Sequence, residues 1–328
     1  MTGTVPAARG PIRIGTRGSA LALVQARSVA AALTGATGAA VELVTIATAG
    51  DRSTAPVAQL GVGVFVSALR DALAGKEIDV AVHSYKDLPT APADGLCVAA
   101  VPERADPRDA LVARDRLRLA ELPAGARVGT GAPRRVAQLQ ARGQGLELVP
   151  VRGNVDTRLR RVASGELDAV VLARAGLDRL GRTAEITDTL DPAVLLPAPA
   201  QGALAVECRT ADAELVDLLG RLDHAITRAA VSAERALMSA LEAGCSAPVA
   251  GLAELTGSGE LRLHGAVLSP DGSRTIRLAR TGTVAAPAGL GRALATELLN
   301  GGARTLLARA APAPGGSGGA APAGSRST

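Results

Sequence analysis

The chain has 328 residues, of which 47% are hydrophobic and 20% are charged. That composition is typical of a folded protein with a substantial core and excludes wholesale disorder, and the length allows two to three domains. One Phe, one Tyr and no Trp are present, so the core must be built from Ala, Val, Leu and Ile. The same scarcity argues against a nucleic-acid surface that stacks bases on aromatic rings.

The formal net charge is +5, and arginine dominates the 36 basic residues, since only Lys76 and Lys86 are lysines. A GC-rich genome would explain much of this bias. Arginine also binds carboxylates and phosphates through a bidentate fork, so the positions of the arginines are more informative than their number.

Three cysteines lie far apart without paired spacing, which predicts neither a disulfide framework nor a metal site. The N-terminus lacks the apolar segment of a secretory signal. The longest uncharged stretches, 28–41 and 192–206, are too short or too broken by proline to span a bilayer. We therefore expect a cytoplasmic protein with no metal and no membrane or nucleic-acid partner.

Hydrophobic patterning predicts an α/β protein. Residues 1–10 are expected to form a flexible arm, and residues 311–328, made of Pro, Gly, Ser and Ala with a few polar residues, a disordered tail. A first βαβαβ unit is predicted from strand 12–16, a helix capped by Ser19 that runs to Leu33, strand 41–47, helix 64–74 and strand 78–84. This order is typical of a parallel sheet covered by helices.

A second βαβαβ unit follows a polar crossover between Pro102 and Pro107. Its predicted elements are strand 126–130, helix 134–141, strand 146–151, helix 155–163 and strand 168–173. The run within 195–209 is predicted to return as a strand to the first sheet, and residues beyond it form a smaller α+β region. The expected domains are 11–104 with 200–222, then 105–199, then 223–310.

Basic residues concentrate where the predicted strands end, which is the edge at which open parallel sheets bind ligands. They are Arg17, Lys86, Arg134, Arg135, Arg152, Arg158 and Arg179. Each alone is more often a solvated surface residue, but several lie beside helix N-termini, whose backbone N–H groups attract anions. The pattern predicts a cleft for a ligand with several carboxylates or phosphates. Neither phosphate-loop nor dinucleotide fingerprints are present, so a nucleotide is not favoured.

Four residues allow both a structural and a chemical role. Asp87 could form a salt bridge, cap a helix, or stabilise a developing cation and carry protons. His83 is more often a hydrogen-bonded core group than a base. Cys245, in "EAGCSAPVAG", could be an inert buried thiol or an accessible attachment point. Phe65 could pack or stack on a planar ligand, and Cys97 and Cys208 are assigned to the core.

The chain resembles the hydroxymethylbilane synthase (porphobilinogen deaminase) family over nearly its whole length. The resemblance rests on "IRIGTRGSALALVQA", "IDVAVHSYKDLPT", "GTGAPRR", "VRGNVDTRL", "LDAVVLARAGLDRLG", "LPAPAQGALAVECR" and "AERALMSALEAGCSAPVAG". It implies two lobes like those of a type II periplasmic binding protein, with a third domain that carries the cofactor loop. It also implies a monomeric enzyme of tetrapyrrole and haem biosynthesis.

The family carries a dipyrromethane cofactor joined by a thioether to a cysteine that matches Cys245. Four porphobilinogen units are added to this primer with loss of ammonia, and water then releases linear hydroxymethylbilane. By resemblance Asp87 is the catalytic carboxylate, which stabilises the azafulvenium formed as ammonia leaves. The residues implied in cofactor binding are Lys86, Arg134, Arg135, Arg17, Ser19, Thr130, Arg152 and Arg158. Those implied in substrate binding are Arg17, Arg152, Arg158, Arg179, Phe65 and Gln201.

The sequence departs from the family at two loops. Gln59 and Val62 stand where relatives carry lysines, and Gly131 and Ala132 stand where serines are common, so two cofactor-facing hydroxyls are expected to be lost. Two rival functions remain open. A non-enzymatic polycarboxylate-binding protein of the same two-lobed fold would not explain the Cys245 loop, and a nucleic-acid binder is supported only by the basic charge.

Overall fold

The computed structural model describes residues 10–47, 64–243 and 247–310, without the side chains of 64, 65, 309 and 310. Its strands are β1 (Ile12–Thr16), β2 (Val41–Thr45), β3 (Val80–Ser84), β4 (Leu96–Ala100), β5 (Asp109–Ala113), β6 (Arg127–Gly129), β7 (Glu147–Val149), β8 (Ala169–Ala173), β9 (Asp188–Leu190), β10 (Leu204–Arg209), β11 (Val249–Leu255), β12 (Leu261–Leu268) and β13 (Thr275–Gly282). Its α-helices are α1 (Ala20–Thr37), α2 (Val64–Ala74), α3 (Pro133–Ala141), α4 (Val155–Ala163), α5 (Arg174–Arg179), α6 (Ala213–Gly220), α7 (Ala225–Ala240), α8 (Pro287–Asn300) and α9 (Ala303–Ala310).

Two five-stranded sheets share one topology. The first lobe has the order β2-β1-β3-β10-β4, and the second lobe has the order β7-β6-β8-β5-β9. In each lobe four strands run in the same direction, and the fourth strand in this order is antiparallel to both of its neighbours. Because β10 follows the second lobe in the chain but pairs in the first sheet, the chain crosses between the lobes twice. This is the arrangement of type II periplasmic binding proteins, so the predicted fold class and the predicted return of the chain to the first sheet are confirmed.

Helix α1 follows β1 directly and covers the first sheet. The Ser19 hydroxyl accepts a hydrogen bond from the backbone N–H of Ala22, which satisfies one of the free donors at the helix start. The helix buries Ala26, Val29 and Leu33 against β1 and β3. By length and composition alone α1 could cross a membrane, but in this fold it is a covering helix of the first lobe.

The third unit comprises the antiparallel sheet β11-β12-β13 together with α7, α8 and α9. Its core is aliphatic, as the composition requires, and centres on Leu237, Leu263 and Leu294. Helices α7 and α8 approach closely at Gly291, where a Cβ atom would clash with the Ala233 carbonyl oxygen. Residues of β11 and β12 also pack against Leu196 of the second lobe, which joins the third unit to that lobe.

Some elements were not predicted from the sequence. Strands β5 and β9 are short, and β5 is buried along its whole length, so it shows no alternation of apolar and polar residues. Helix α5 begins directly after β8 without a capping side chain. The predicted domain boundaries at 104/105, 199/200 and 222/223 remain predictions.

Candidate active site

A cleft of about 820 Å³ lies where the loops after β1 and β3 of the first lobe face those after β6, β7 and β8 of the second. Six basic side chains line it, here called the cleft cations: Arg17, Lys86, Arg135, Arg152, Arg158 and Arg179. Only two carboxylates, Asp87 and Asp156, line it among the described residues. The cleft is therefore strongly positive, as the sequence predicted, and Ser19 also lines it.

Asp87 ends a single 3-10 turn, Tyr85–Asp87, that follows β3. Asp87 is exposed at the cleft, whereas Lys86 beside it is half-buried and donates a hydrogen bond from Nζ to Gln201 Oε1 at 3.4 Å. Burial lowers the pKa of Lys86 to about 8, opposed by the charge of Asp87 and reinforced by Arg135 and Arg134. The turn thus places an exposed carboxylate beside a titratable ammonium.

A buried carboxylate that sequence reasoning missed, Asp109, organises the second-lobe side of the cleft. Its Oδ1 accepts from Arg135 Nη2 at 2.7 Å, Arg134 Nη2 at 3.1 Å and Gln201 Nε2 at 2.8 Å, and its Oδ2 accepts from Arg134 Nη1 at 2.7 Å. Burial alone would raise the pKa of Asp109, but the two guanidinium groups hold that pKa far below its usual range. Asp109 is therefore a permanent anion that fixes both arginines.

Three of the predicted binding residues lie behind the cleft rather than on its lining. The Arg134 guanidinium also donates to Gln201 Oε1 and to the Leu196 carbonyl, so its donors are directed into the protein. Thr130 is buried, and its hydroxyl accepts from the backbone N–H of Ala132 at 3.4 Å. Gln201 is fully buried and joins Asp109, Arg134 and Lys86.

Arg158 lies close to two other second-lobe cations, and Arg179 lines the same cleft. Arg158 donates from Nε to the Gly153 carbonyl at 3.0 Å, and its pKa is lowered by burial and then by the charges of Arg135 and Arg152. Arg179 donates to the Gly202 carbonyl at 2.7 Å, and burial lowers its pKa. Like charges held together in this way favour an anionic ligand, because its charge relieves their repulsion.

Two predicted residues cannot be placed. Cys245 and the side chain of Phe65 lie outside the described residues, as do Gln59 and Val62. The chain on either side of Cys245 is placed: Ala243 is buried in the third-unit core, and Ala247 packs against the same core.

Comparison with known proteins places the chain. Residues 12–217 match the family model "Porphobilinogen deaminase, dipyromethane cofactor binding domain", and residues 228–300 match "Porphobilinogen deaminase, C-terminal domain". The chain belongs to the porphobilinogen deaminase family. The porphobilinogen deaminase of Nocardia farcinica is 61% identical over 309 residues, 92% of this chain and 89% of that one. That of Mycobacterium tuberculosis is 58% identical over 304 residues, 90% of this chain and 98% of that one.

Solved structures similar to this chain include a periplasmic substrate-binding protein of an ABC transporter from Coxiella burnetii. It is 14% identical, with a TM-score of 0.43, and the match covers 64% of this chain and 91% of that chain.

Porphobilinogen deaminases are transferases, so the family match confirms the predicted family, enzyme class and dipyrromethane cofactor.

The described residues fit the carboxylates of a dipyrromethane. Arg135 lines the cleft, and its Nε is buried without a hydrogen-bond partner among the described residues. Such an orphaned buried donor is costly unless an acceptor reaches it. Arg135 is already oriented by Asp109 and the Val171 carbonyl, so a carboxylate could meet it without reorganising the site.

The loop after β6 leaves little space for a side chain at position 131, where a serine is common in the family. A Cβ atom on Gly131 would lie 2.7 Å from the carbonyl oxygen of Val151. The glycine therefore permits a close approach between two backbone segments, in addition to removing a hydroxyl.

The sequence signal for Asp109 was a carboxylate at the start of an apolar run, "DALVA", which the structure buries as β5.

Proposed function

We propose that this chain is a working hydroxymethylbilane synthase. It would join four porphobilinogen units head to tail with loss of ammonia and release the linear tetrapyrrole by hydrolysis. The observation that supports this most is the cleft, which six cations line and at which the turn after β3 exposes one carboxylate, Asp87. The family match over both parts of the chain supports the same reaction.

The cleft cations are proposed to bind the carboxylates of the pyrrole rings. Each porphobilinogen carries an acetate and a propionate, so charge accumulates as the chain grows. Arg135 and Lys86 would hold cofactor carboxylates, with Arg17, Ser19, Arg152 and Arg158 along the cofactor and substrate path and Arg179 at the substrate. Arg134, Thr130 and Gln201 would act from behind, because their polar atoms fix Asp109, Lys86 and the turn before α3. Phe65 remains a candidate for substrate binding.

Asp87 is proposed to be the catalytic residue. As ammonia leaves the aminomethyl carbon of the substrate, positive charge develops on that pyrrole, and a carboxylate beside it lowers the energy of the charge. A carbon–carbon bond then forms to the neighbouring ring, and the proton displaced from that ring carbon passes through Asp87 to solvent or to the departing amine. Lys86, adjacent in the turn, would hold a substrate or cofactor carboxylate near the reacting atoms.

Cys245 is proposed to carry the dipyrromethane as a thioether. When bound, the cofactor supplies the pyrrole carbon to which the first substrate is joined. The cleft cations would bind the carboxylates of the cofactor rings. The turn after β3 would set the location of Asp87 beside the reacting carbon.

Intact mass measurement tests this proposal directly. We expect purified protein to exceed the sequence mass by two linked pyrrole units, located by peptide mapping to the peptide of Cys245 and absent from Cys245→Ser. Unmodified protein should gain the same mass when incubated with porphobilinogen. Protein that binds porphobilinogen without gaining this mass or releasing ammonia would contradict the proposal and favour a polycarboxylate-binding protein.

Cytoplasmic location and a monomeric state are proposed as well. The thiols of Cys97 and Cys208 are free, which fits a reducing compartment, and the cleft is formed by residues of a single chain. Gel filtration with light scattering should give the mass of one chain. A stable dimer would contradict the second part.

A further inference from the structure

Helix α7 of the third unit reaches across to the turn that carries Asp87 through one side chain, Arg235. Its guanidinium donates to the backbone carbonyls of Leu88 at 2.8 Å and Pro89 at 2.5 Å, with a longer contact to the carbonyl of Tyr85 at 3.4 Å. These three carbonyls lie on both sides of Asp87 in the chain. Arg235 therefore holds the backbone of the turn from its two ends.

The same guanidinium lies over the ring of Tyr85, with its Cζ 4.5 Å from the ring centroid. A cation in this position is attracted by the face of the ring. Tyr85 and Leu88 in turn pack with Val66 and Ala205, which ties the turn to the first sheet. Arg235 thus grips both the backbone and a packed side chain of the turn.

Arg235 does not reach the cleft. It lines a separate recess of about 270 Å³ on the other side of the turn, together with Arg70, Tyr85 and Glu207. On the cleft side, Lys86 of the turn donates to Gln201, and the backbone N–H of Tyr85 donates to the carbonyl of Ala203 at 3.0 Å. Since Asp87 itself is exposed, its location depends on how its backbone is held.

We propose that Arg235 is a positioning residue, which fixes the Asp87 carboxylate against the reacting pyrrole from the third unit. The inference rests on the proposed catalytic role of Asp87. It also gives α7 a defined task, because this helix ends at Ala240, shortly before Cys245, and so connects the attachment point with the catalytic turn. A carboxylate used in repeated additions must return to one position while the bound chain lengthens.

The chain offers a matched control on the same helix. Arg228 also donates to first-lobe carbonyls, those of Val98 and Ala99, and pairs with Asp223. It contacts β4 rather than the turn. Arg228→Lys therefore measures the cost of weakening the docking of α7 on the first lobe, and Arg235→Lys measures the same change at the turn.

The experiment uses holoenzyme of the wild type, Arg235→Lys, Arg235→Met and Arg228→Lys, each checked by intact mass and thermal unfolding. We expect all four to carry the two-pyrrole mass and to keep KM within about twofold. A misplacement of about 1 Å at a catalytic group can cost about 100-fold in rate. We expect kcat to fall about 10-fold in Arg235→Lys and about 100-fold in Arg235→Met, and less than about twofold in Arg228→Lys.

A double-mutant cycle separates positioning from general loss of structure. The rate of the first addition, followed by mass after mixing with one equivalent of porphobilinogen, is measured for Asp87→Asn with and without Arg235→Met. We expect Arg235→Met to add less than about a twofold loss once the carboxylate is gone, because the two changes act on one group.

The inference would be overturned by an equal loss with and without Asp87, by an equal loss in Arg228→Lys, or by absence of the two-pyrrole mass in the Arg235 variants alone. If Asp87→Asn keeps the wild-type rate, the proposed role of Asp87 fails first and this inference fails with it. A slow Asp87→Asn with a normal Arg235→Met would leave the proposed function intact and remove only the positioning role.

Discussion

The two lobes have the same strand order but differ in the role of the antiparallel strand inserted fourth in each sheet, β10 in the first lobe and β5 in the second. Each inserted antiparallel strand carries one buried carboxylate, Asp109 on β5 and Glu207 on β10. Asp109 holds Arg134 and Arg135, and Arg135 lines the cleft. Glu207 instead accepts hydrogen bonds from Arg70 and His83, and neither of these residues lines the cleft. Equivalent topology therefore supports a ligand site in one lobe and the packing of a sheet in the other.

The two lobes also contribute different groups to the cleft. Most cleft cations belong to the second lobe, where Arg135, Arg152, Arg158 and Arg179 are always charged. The exposed Asp87 comes from the first lobe, beside the titratable Lys86. Anion binding is thus concentrated in one lobe, and the proposed chemistry in the other.

Replacement of Asp87 should give the largest effect on the rate. An unchanged rate would contradict the assignment of the chemistry to the first lobe. Loss of a positioned acid–base group costs about 10²–10⁴-fold in rate, and we expect Asp87→Asn to lower kcat within that range. Because Asp87 is exposed, the free energy of unfolding should change by less than about 0.5 kcal/mol. Asp156→Asn removes the other cleft carboxylate, which Arg182 binds at 2.9 Å, and should keep kcat. Equal losses in both variants would place the chemistry elsewhere.

Neutralising the two buried carboxylates tests whether β5 and β10 differ in this way. Asp109→Asn leaves two buried guanidinium groups without their anion, which we expect to cost about 3–5 kcal/mol in the free energy of unfolding. Glu207→Gln should cost less, about 1–3 kcal/mol, because one of its partners, Arg70, is partly exposed and can reach water. Urea unfolding measures both.

Activity should separate the two variants further. We expect Asp109→Asn to weaken porphobilinogen binding through the displaced Arg135, and Glu207→Gln to keep the wild-type KM. A larger loss of stability or of binding in Glu207→Gln would show that the inserted strands do not differ as described.

The sequence predicted the parts of the fold that carry periodic or end-of-strand signals. Ser19 followed by an apolar helix was sufficient for α1, and the concentration of arginines at strand ends was sufficient for the cleft. It could not show that Arg134 is directed inward, because this depends on Asp109, a residue from a fully buried strand without alternation. Nor could it show that Arg235, far along the chain from Asp87, holds the Asp87 turn, because helix–turn contacts of this kind leave no local pattern.

The pH dependence of binding distinguishes the first-lobe cation from those of the second lobe. Burial lowers the pKa of Lys86 to about 8, so its side chain is mostly charged at pH 7 and mostly neutral at pH 9. A bound carboxylate favours the ammonium form, so binding above pH 8 must take up a proton. Between pH 7 and pH 9 we expect the affinity of Cys245→Ser protein for porphobilinogen to fall by up to about tenfold.

Calorimetry in two buffers of different ionisation heat measures this proton uptake. Lys86→Arg stays charged throughout and should show neither the uptake nor the fall in affinity. Persistence of both in Lys86→Arg would assign the titration to another group.

The smallest expected effects compare how the two lobes begin a helix at the cleft. Helix α1 is capped by Ser19, whereas α3 follows Ala132, which offers no capping side chain. Ala132→Ser should therefore stabilise the protein by about 0.5–1 kcal/mol. Gly131→Ser, one residue earlier, should instead cost about 1–3 kcal/mol, because its Cβ would meet the Val151 carbonyl oxygen at 2.7 Å. Thermal unfolding of the two variants gives the signs. Stabilisation by both changes would mean that the loop after β6 adjusts freely at position 131, and destabilisation by both would mean that a hydroxyl at position 132 does not cap α3.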